Sequence, residues 1–303
     1  MSSAHAWVVS LRLRTLPLAL ASTGMGSFLA AGFRVFNLKI CLLTSLTAIL
    51  LQILSNLAND YGDYKTGADN EDRIGPQRGL QSGVISISAM RNAIIFVSLL
   101  TLISGCILLY VAIGGFQNRI FILFFVVGLL CIVAAIKYTM GKNPYGYAGF
   151  GDAAVFIFFG IVGVGGTFYL HAHYFHPDIL LPACTLGFLS AGVLNVNNMR
   201  DINSDAASGK HTLVVRIGLD SAKRYHLVLI SFAFISLAHF TQSHSKSLWQ
   251  WAFLLTLPLF IIHAVSIVKS DIAGMDKYLK QLAISTLLLV LSFGISIALN
   301  PYV

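Results

Sequence analysis

Two groups of polar residues stand at the ends of otherwise apolar stretches, spaced as helical faces are spaced. In the first, Gln52, Asn56, Asn59, Asp60 and Asp63 keep near one side of a helix, and Asp69, Glu71 and Asp72 follow close behind. In the second, Asn197, Asp201 and Asp205 recur every fourth residue, with Asn195 and Asn198 beside them. Carboxylates this close repel one another unless a cation sits among them. An oxygen-rich set without thiolates suits Mg²⁺, which uses one or two carboxylates and completes its shell with water and substrate phosphates. Basic residues accompany both groups: Arg73 and Arg78 after the first, Lys210 and Arg216 after the second, and Lys142 between them. Arginine's planar fork matches phosphate oxygens. Two carboxylate faces across a cavity would hold two Mg²⁺ ions around one diphosphate, making it a good leaving group. Departure from an allylic carbon leaves a stabilised cation that an electron-rich aromatic ring can attack, provided the surroundings exclude water.

The elements that must position these residues are membrane spans. The 303 residues are 56% hydrophobic and 11% charged, with mean hydropathy +0.79; a soluble domain carries about 25% charged residues. Nine apolar stretches are long enough to cross a bilayer: 16–36, 38–59, 90–113, 120–138, 152–170, 179–198, 225–240, 248–268 and 279–299. The fold expected is all-α, a polytopic bundle of about nine helices around a central cavity, in one domain covering 1–303. With the N-terminus in the cytoplasm, sixteen of the twenty Lys and Arg fall on the cytoplasmic side, so the positive-inside rule selects that orientation. Both acidic groups then open to the cytoplasm, after the second and sixth spans, under cap loops at roughly 60–89, 139–151 and 199–224. The order of two spans, an acidic loop and two spans repeats along the chain. A polar stripe inside a span is costly unless it faces a wet cavity, so the second span must line one.

Other features read as structural. The net charge of +8 follows the topology and not a nucleic-acid partner. Cys41, Cys106, Cys131 and Cys184 are isolated in apolar stretches, as buried small hydrophobes are. His171, His173 and His176 are expected in a short exposed turn before Pro177. Gly24, Gly26, Gly160, Gly163, Gly165 and Gly166 are expected to be helix-packing contacts. No cleavable signal peptide is evident; Arg12 and Arg14 look like the basic flank of a first span.

The paired aspartates resemble those of the UbiA superfamily of intramembrane prenyltransferases. The first family motif, N-D-x-x-D-x-x-x-D, matches Asn59, Asp60 and Asp63; its last position falls on Gly67, and the next aspartate is Asp69. The second, D-x-x-x-D, matches Asp201 and Asp205, and Lys210 and Thr212 match the K-x-T that closes it. N-N-M-R-D at 197–201, Y-G-Y-A-G-F-G-D at 145–152 and the RGLQSG stretch from Arg78 resemble the branch that prenylates 1,4-dihydroxy-2-naphthoate. The resemblance implies Mg²⁺, a polyprenyl diphosphate and an aromatic acceptor. For that branch it implies replacement of the acceptor's carboxyl group, giving a demethylmenaquinol for menaquinone in a bacterial inner membrane.

On this reading Asp60, Asp63, Asp201 and Asp205 are metal ligands, with Asp69 a further one. Asn56, Asn59 and Asn197 assist, and Arg73, Arg78, Lys142 and Lys210 contact diphosphate. Tyr145, Tyr147 and Asp152 contact the acceptor or stabilise the cation. Three other readings compete. A cation-coupled transporter would carry polar residues through to the outer side, whereas most outward halves here are apolar. A CDP-alcohol phosphotransferase would carry D-G-x-x-A-R, which is absent. A family member acting on 4-hydroxybenzoate or homogentisate stays open.

Overall fold

The computed structural model describes residues 2–67 and 78–302. Every regular element among them is helical. A short helix α1 (Ser3–Leu11) leads through one 3₁₀ turn into α2 (Leu16–Gly32). Then come α3 (Leu38–Thr66), α4 (Ile87–Ile113) and α5 (Arg119–Lys137). The fifth span joins α6 (Gly151–Val155), a π-helical stretch Phe156–Gly166 and α7 (Thr167–Ala172). α8 (Leu180–Arg200) is followed by two short cap helices, α9 (Ile202–Ala207) and α10 (Leu213–Ile217). α11 (Leu219–His244), α12 (Leu257–Lys269) and α13 (Asp276–Leu299) complete the bundle.

Among the described residues, eight helical stretches are long and apolar enough to cross a membrane. The remaining expected span is α2, which has 17 residues and continues the 3₁₀ turn Leu13–Thr15. Side chains facing away from the bundle form the apolar coat that lipid requires: Phe96, Leu99 and Ile103 on α4, and Leu123, Val126 and Leu130 on α5, are all exposed. Helix starts follow capping chemistry. The side chains of Asn37, Ser86 and Asn118 accept first-turn N–H groups of α3, α4 and α5.

Three expectations need correcting. First, the cap does not begin as a loop at residue 60, because α3 runs on to Thr66 and ends at Gly67 with φ 74°. Hydropathy marks where a helix leaves lipid, not where its hydrogen bonds stop. Second, α11 starts at Leu219 and not near 225, and the Lys223 ammonium donates to the carbonyls of Val268 and Ser270 at the C-terminal end of α12. Third, His171 lies outside any exposed turn. It is buried in α7, where Nδ1 accepts from the Asn37 N–H and Nε2 faces the Ser27 hydroxyl.

The buried core falls into three clusters. The largest joins α2, the fifth span, α8 and α11–α13 around Met25, Phe168, Leu189, Phe240, Phe260 and Phe293. Two smaller ones pack α3, α4 and α5 together at their two ends. Between them lies a cavity of about 380 Å³, walled by α2–α5, the fifth span, α8 and α13. Close helix crossings set its walls: a Cβ on Gly160 would stand 2.5 Å from the Ala183 carbonyl oxygen, whereas one on Gly165 would touch nothing. In the π-helical wall the Phe159 carbonyl is capped by the Ser22 hydroxyl of α2.

Candidate active site

The last two turns of α3 carry the first carboxylates into the protein. Asp60 is fully buried and Asp63 nearly so. The turn between them can pack this tightly because residue 62 is glycine, whose α-carbon side lies against Thr139. Thr139 in turn donates to the Ala58 carbonyl at 3.0 Å. Lower on α3, Gln52 donates to the Asn56 side chain, and Asn56 donates to the Leu11 carbonyl and the Thr15 hydroxyl. These bonds fasten the start of α2 to the polar stripe. Asn59 lines the cavity below the carboxylates.

The second carboxylate pair straddles the break between α8 and α9. α8 ends at Arg200, and Asp201 leaves helical geometry, yet the Asp205 N–H still reaches the Asp201 carbonyl at 2.8 Å. Asp201 and Asp205 are both buried. Lys210 joins the two sequence groups: its ammonium lies 2.8 Å from Asp63 Oδ1 and 3.3 Å from Asp205 Oδ1.

The remaining charges form a web around this centre. Arg78 bonds Asp63 at 2.7 Å and approaches Asp60 at 3.3 Å, while Arg12 holds Asp60 at 2.6 Å. Arg200 grips Asp201 with Nε and Nη2 at 2.7 and 2.6 Å, and reaches Asp276 with Nη1 at 2.6 Å. Arg14 also bonds Asp276, and Arg200 donates to the Asn197 amide oxygen. Five cations thus face five carboxylates among the described residues. Burial presses the Arg12 pKa down, the neighbouring Arg78 charge adds to this, and Asp60 opposes it. Burial raises the Asp205 carboxyl to about 6; Lys210 works against this, and the Asp201 and Asp63 charges add to it.

Tyr147 donates to Asp63 Oδ1 at 2.6 Å and lies under the Lys210 ammonium, 4.6 Å from ring centre to nitrogen. Burial and the Asp63 charge raise its pKa. The 139–151 cap is stitched to the 199–224 cap by His211 N–H to the Tyr147 carbonyl and by Arg216 to the Ala148 carbonyl, while Arg216 also donates to the His211 carbonyl of its own cap. Tyr145 and Tyr138 meet edge to face at 5.4 Å and line the cavity, the Tyr145 hydroxyl donating to the Ala134 carbonyl.

The structure therefore brings together Asn56, Asn59, Asp60, Asp63, Arg78, Tyr145, Tyr147, Asn197, Asp201, Asp205 and Lys210. It leaves two expected residues apart. Lys142 is exposed and makes no ion pair among the described residues. Asp152 accepts from the Tyr225 hydroxyl and lines a separate pocket between the fifth span, α8 and α11. Asp69 and Arg73 lie outside the described residues. Sequence reading missed Arg12, Arg14, Arg200 and Asp276. Arg12 and Arg14 passed for topology charges, but Asp276 had a legible signal, because an acid heading a span needs a cation.

The donor set fits a divalent hard cation. All candidate ligands are oxygen, and Asp60 Oδ2 is buried with no hydrogen-bond partner among the described residues. The web holds the carboxylates close together, and its arginine and lysine donors can turn to phosphate oxygens once a metal neutralises their partners.

The sequence pattern of the UbiA prenyltransferase family matches residues 19–279. The chain belongs to the UbiA prenyltransferase family. It is 45% identical over its whole length, and over 98% of the relative, to the 1,4-dihydroxy-2-naphthoate octaprenyltransferase of Escherichia coli K12. It is 41% identical to the enzyme of that name from Haemophilus influenzae, over 97% of this chain and 96% of the relative. In fold it is similar to an apo UbiA homolog from Aeropyrum pernix K1, with a TM-score of 0.68 at 15% identity over 95% of this chain and 98% of the homolog. It is also similar to a UbiA homolog from Archaeoglobus fulgidus bound to GPP and Mg²⁺, with a TM-score of 0.63 at 16% identity over 94% and 98% of the two chains. In this chain the two aspartate motifs meet at one end of the bundle, beside one cavity.

Proposed function

We propose that this protein transfers a polyprenyl group from its diphosphate to 1,4-dihydroxy-2-naphthoate with loss of CO₂, giving demethylmenaquinol for menaquinone synthesis. The observation that carries this reading is Lys210 bridging Asp63, 147 residues before it, and Asp205, since it makes one site of the two motifs. The full-length likeness to two naphthoate octaprenyltransferases supports the choice of acceptor.

Asp60, Asp63, Asp201 and Asp205 would hold Mg²⁺, two ions on our reading, with Asp69 in reserve. Bound there, the metal would neutralise the diphosphate and make it a better leaving group. Arg78 and Lys210, released from their carboxylates, bind diphosphate oxygens. Arg12 stands beside them at the mouth of the cavity. Asn56, Asn59 and Asn197 form the polar rim, while Leu18, Leu51, Phe125 and Phe158 below it hold the prenyl chain and exclude water.

The allylic C–O bond breaks and the diphosphate leaves with the electron pair. The ring carbon bearing the carboxylate attacks the cation, forming the new C–C bond. The carboxylate then leaves as CO₂, returning its bonding pair to the ring, so no proton need be removed from carbon. Tyr138 and Tyr145 line the cavity, and an aromatic ring face there would stabilise a cation. On the distribution of Lys and Arg we place the carboxylate end in the cytoplasm, and on the likeness to bacterial relatives the bundle in a bacterial inner membrane.

Product analysis tests the proposal. Detergent-purified protein is incubated with Mg²⁺ and a polyprenyl diphosphate, with dihydroxynaphthoate and 4-hydroxybenzoate offered in parallel. Prenylated naphthoquinol with CO₂ release, stopped by EDTA, is expected. Product from 4-hydroxybenzoate alone would overturn the acceptor, and turnover in EDTA would overturn the role of the aspartates.

A further inference from the structure

At the other end of the bundle lies a group of side chains that prenyl transfer does not use. His176 and Asp178 stand just before α8, and His244 is the last residue of α11. α8 has 21 residues, so this end is about 30 Å from Arg200 and the carboxylates. We propose that His176, Asp178 and His244 form a site for a divalent transition metal, with Zn²⁺ the ion that suits it best.

Proximity is the first argument. One nitrogen from each imidazole and one carboxylate oxygen all lie within 4.8 Å of one another. Ligands about 2.0–2.1 Å from a tetrahedral zinc ion lie about 3.3 Å from one another, the spacing that His244 Nε2 and Asp178 Oδ2 already have at 3.2 Å, and side-chain rotation of His176 brings in the third ligand. The ligands come from two elements far apart in sequence, and their meeting is a product of the fold.

The second argument is hydrogen bonding. Nδ1 of His244 lies 3.0 Å from the Phe240 carbonyl, which can only accept, so Nδ1 carries a proton. In the neutral ring Nε2 then presents a lone pair, and 3.2 Å in front of it is Asp178 Oδ2, another acceptor. Two acceptors facing at that distance need a cation, either a proton or a metal. The neighbouring His176 leaves Nδ1 buried with no hydrogen-bond partner among the described residues. A group with a second unused imidazole nitrogen has more ligand capacity than one proton needs.

The third argument is preorganisation. A metal-bound histidine characteristically gives its other N–H to a backbone carbonyl or carboxylate, which sets tautomer and orientation, and His244 does this with Phe240. Its ring is stacked on Phe240 at 4.5 Å, with Tyr302 and Phe33 at its flanks. Asp178 keeps 46% of its side chain exposed, which provides an entry path. Two imidazoles, one carboxylate and space for water match zinc, whereas Mg²⁺ prefers oxygen alone. A bound ion would tie the start of α8 to the end of α11, clamping the bundle at the end opposite the reaction.

The test uses the full chain, purified in detergent without a polyhistidine tag and kept in excess Mg²⁺ to saturate the aspartates. Co²⁺ is titrated in, followed by Zn²⁺. The expected result is one Co²⁺ with the strong visible absorption of a four-coordinate site, displaced by an equivalent of Zn²⁺, and a melting temperature raised by Zn²⁺. His244→Gln and Asp178→Asn should weaken binding by more than about 100-fold, beyond the loss seen when only an outer-shell partner is removed. His176→Asn, on the turn, serves as a further variant should His244→Gln fail to fold. A folded wild type that binds no Co²⁺, or variants that bind it equally well, would overturn the site and leave an imidazolium–carboxylate pair.

Discussion

Replacing Gly62 with alanine should damage catalysis more than stability. A Cβ at this position would stand 2.4 Å from the Thr139 carbonyl oxygen and 2.8 Å from the Thr139 carbonyl carbon. Real Cβ contacts essentially never fall below 3.0 Å, so α3 and the Thr139 turn must separate by at least 0.6 Å. Thr139 cannot yield freely, since its hydroxyl is bonded to the Ala58 carbonyl of the same helix. Overpacking of this kind costs about 1–3 kcal/mol. Alanine's better helix propensity offsets about 1 kcal/mol of it, so the net loss is roughly 0–2 kcal/mol. The displacement, however, falls between Asp60 and Asp63. A misplacement of about 1 Å can cost about 100-fold in rate, so 0.6 Å should cost roughly tenfold or more. The assay is steady-state prenyl transfer beside a thermal melt in the same detergent, with Gly165→Ala as the control, because a Cβ there touches nothing. Turnover of Gly62→Ala within about twofold of wild type, with an unchanged melt, would refute the claim that this crossing positions the carboxylates.

Asp63→Asn should abolish transfer while the protein still inserts, because Arg78, Lys210 and Tyr147 all converge on that carboxylate; near-normal turnover would remove it from the ligand set. Arg200→Met should lower stability by about 3–5 kcal/mol, read from the melt, since it leaves Asp201 buried without its fork and takes one cation from Asp276. Arg200→Lys should recover only part of that loss, because an ammonium cannot span both oxygens. Chelating divalent metal should stop turnover without unfolding the bundle, and Mg²⁺ with inorganic diphosphate should raise the melting temperature of wild type but not of Asp201→Asn.

Much of the architecture was legible before any coordinates. The spans are set by apolar length, and the carboxylate ladders by four-residue spacing, both properties of contiguous chain. Helix ends were less legible, because α3 and α11 extend past their apolar segments into polar residues held by caps and ion pairs. His171 differs from its expected exposed turn because the sequence groups it with His173 and His176 before Pro177, whereas the helix carries it inward against Asn37 and Ser27.

The sequence alone determined that two carboxylate faces would emerge at one end of a membrane bundle, since side chains one helical turn apart share a face wherever the helix is put. Only the tertiary structure decided how those faces are partnered. Arg12 reaches Asp60 across 48 residues and Lys210 reaches Asp63 across 147. Asp276 at the head of α13 fixes the Arg200 that orients Asp201. Asp152, in an equally suggestive stretch, turns instead to Tyr225. Those pairings depend on where helices cross, and a crossing is set by packing between distant segments, which local spacing does not encode.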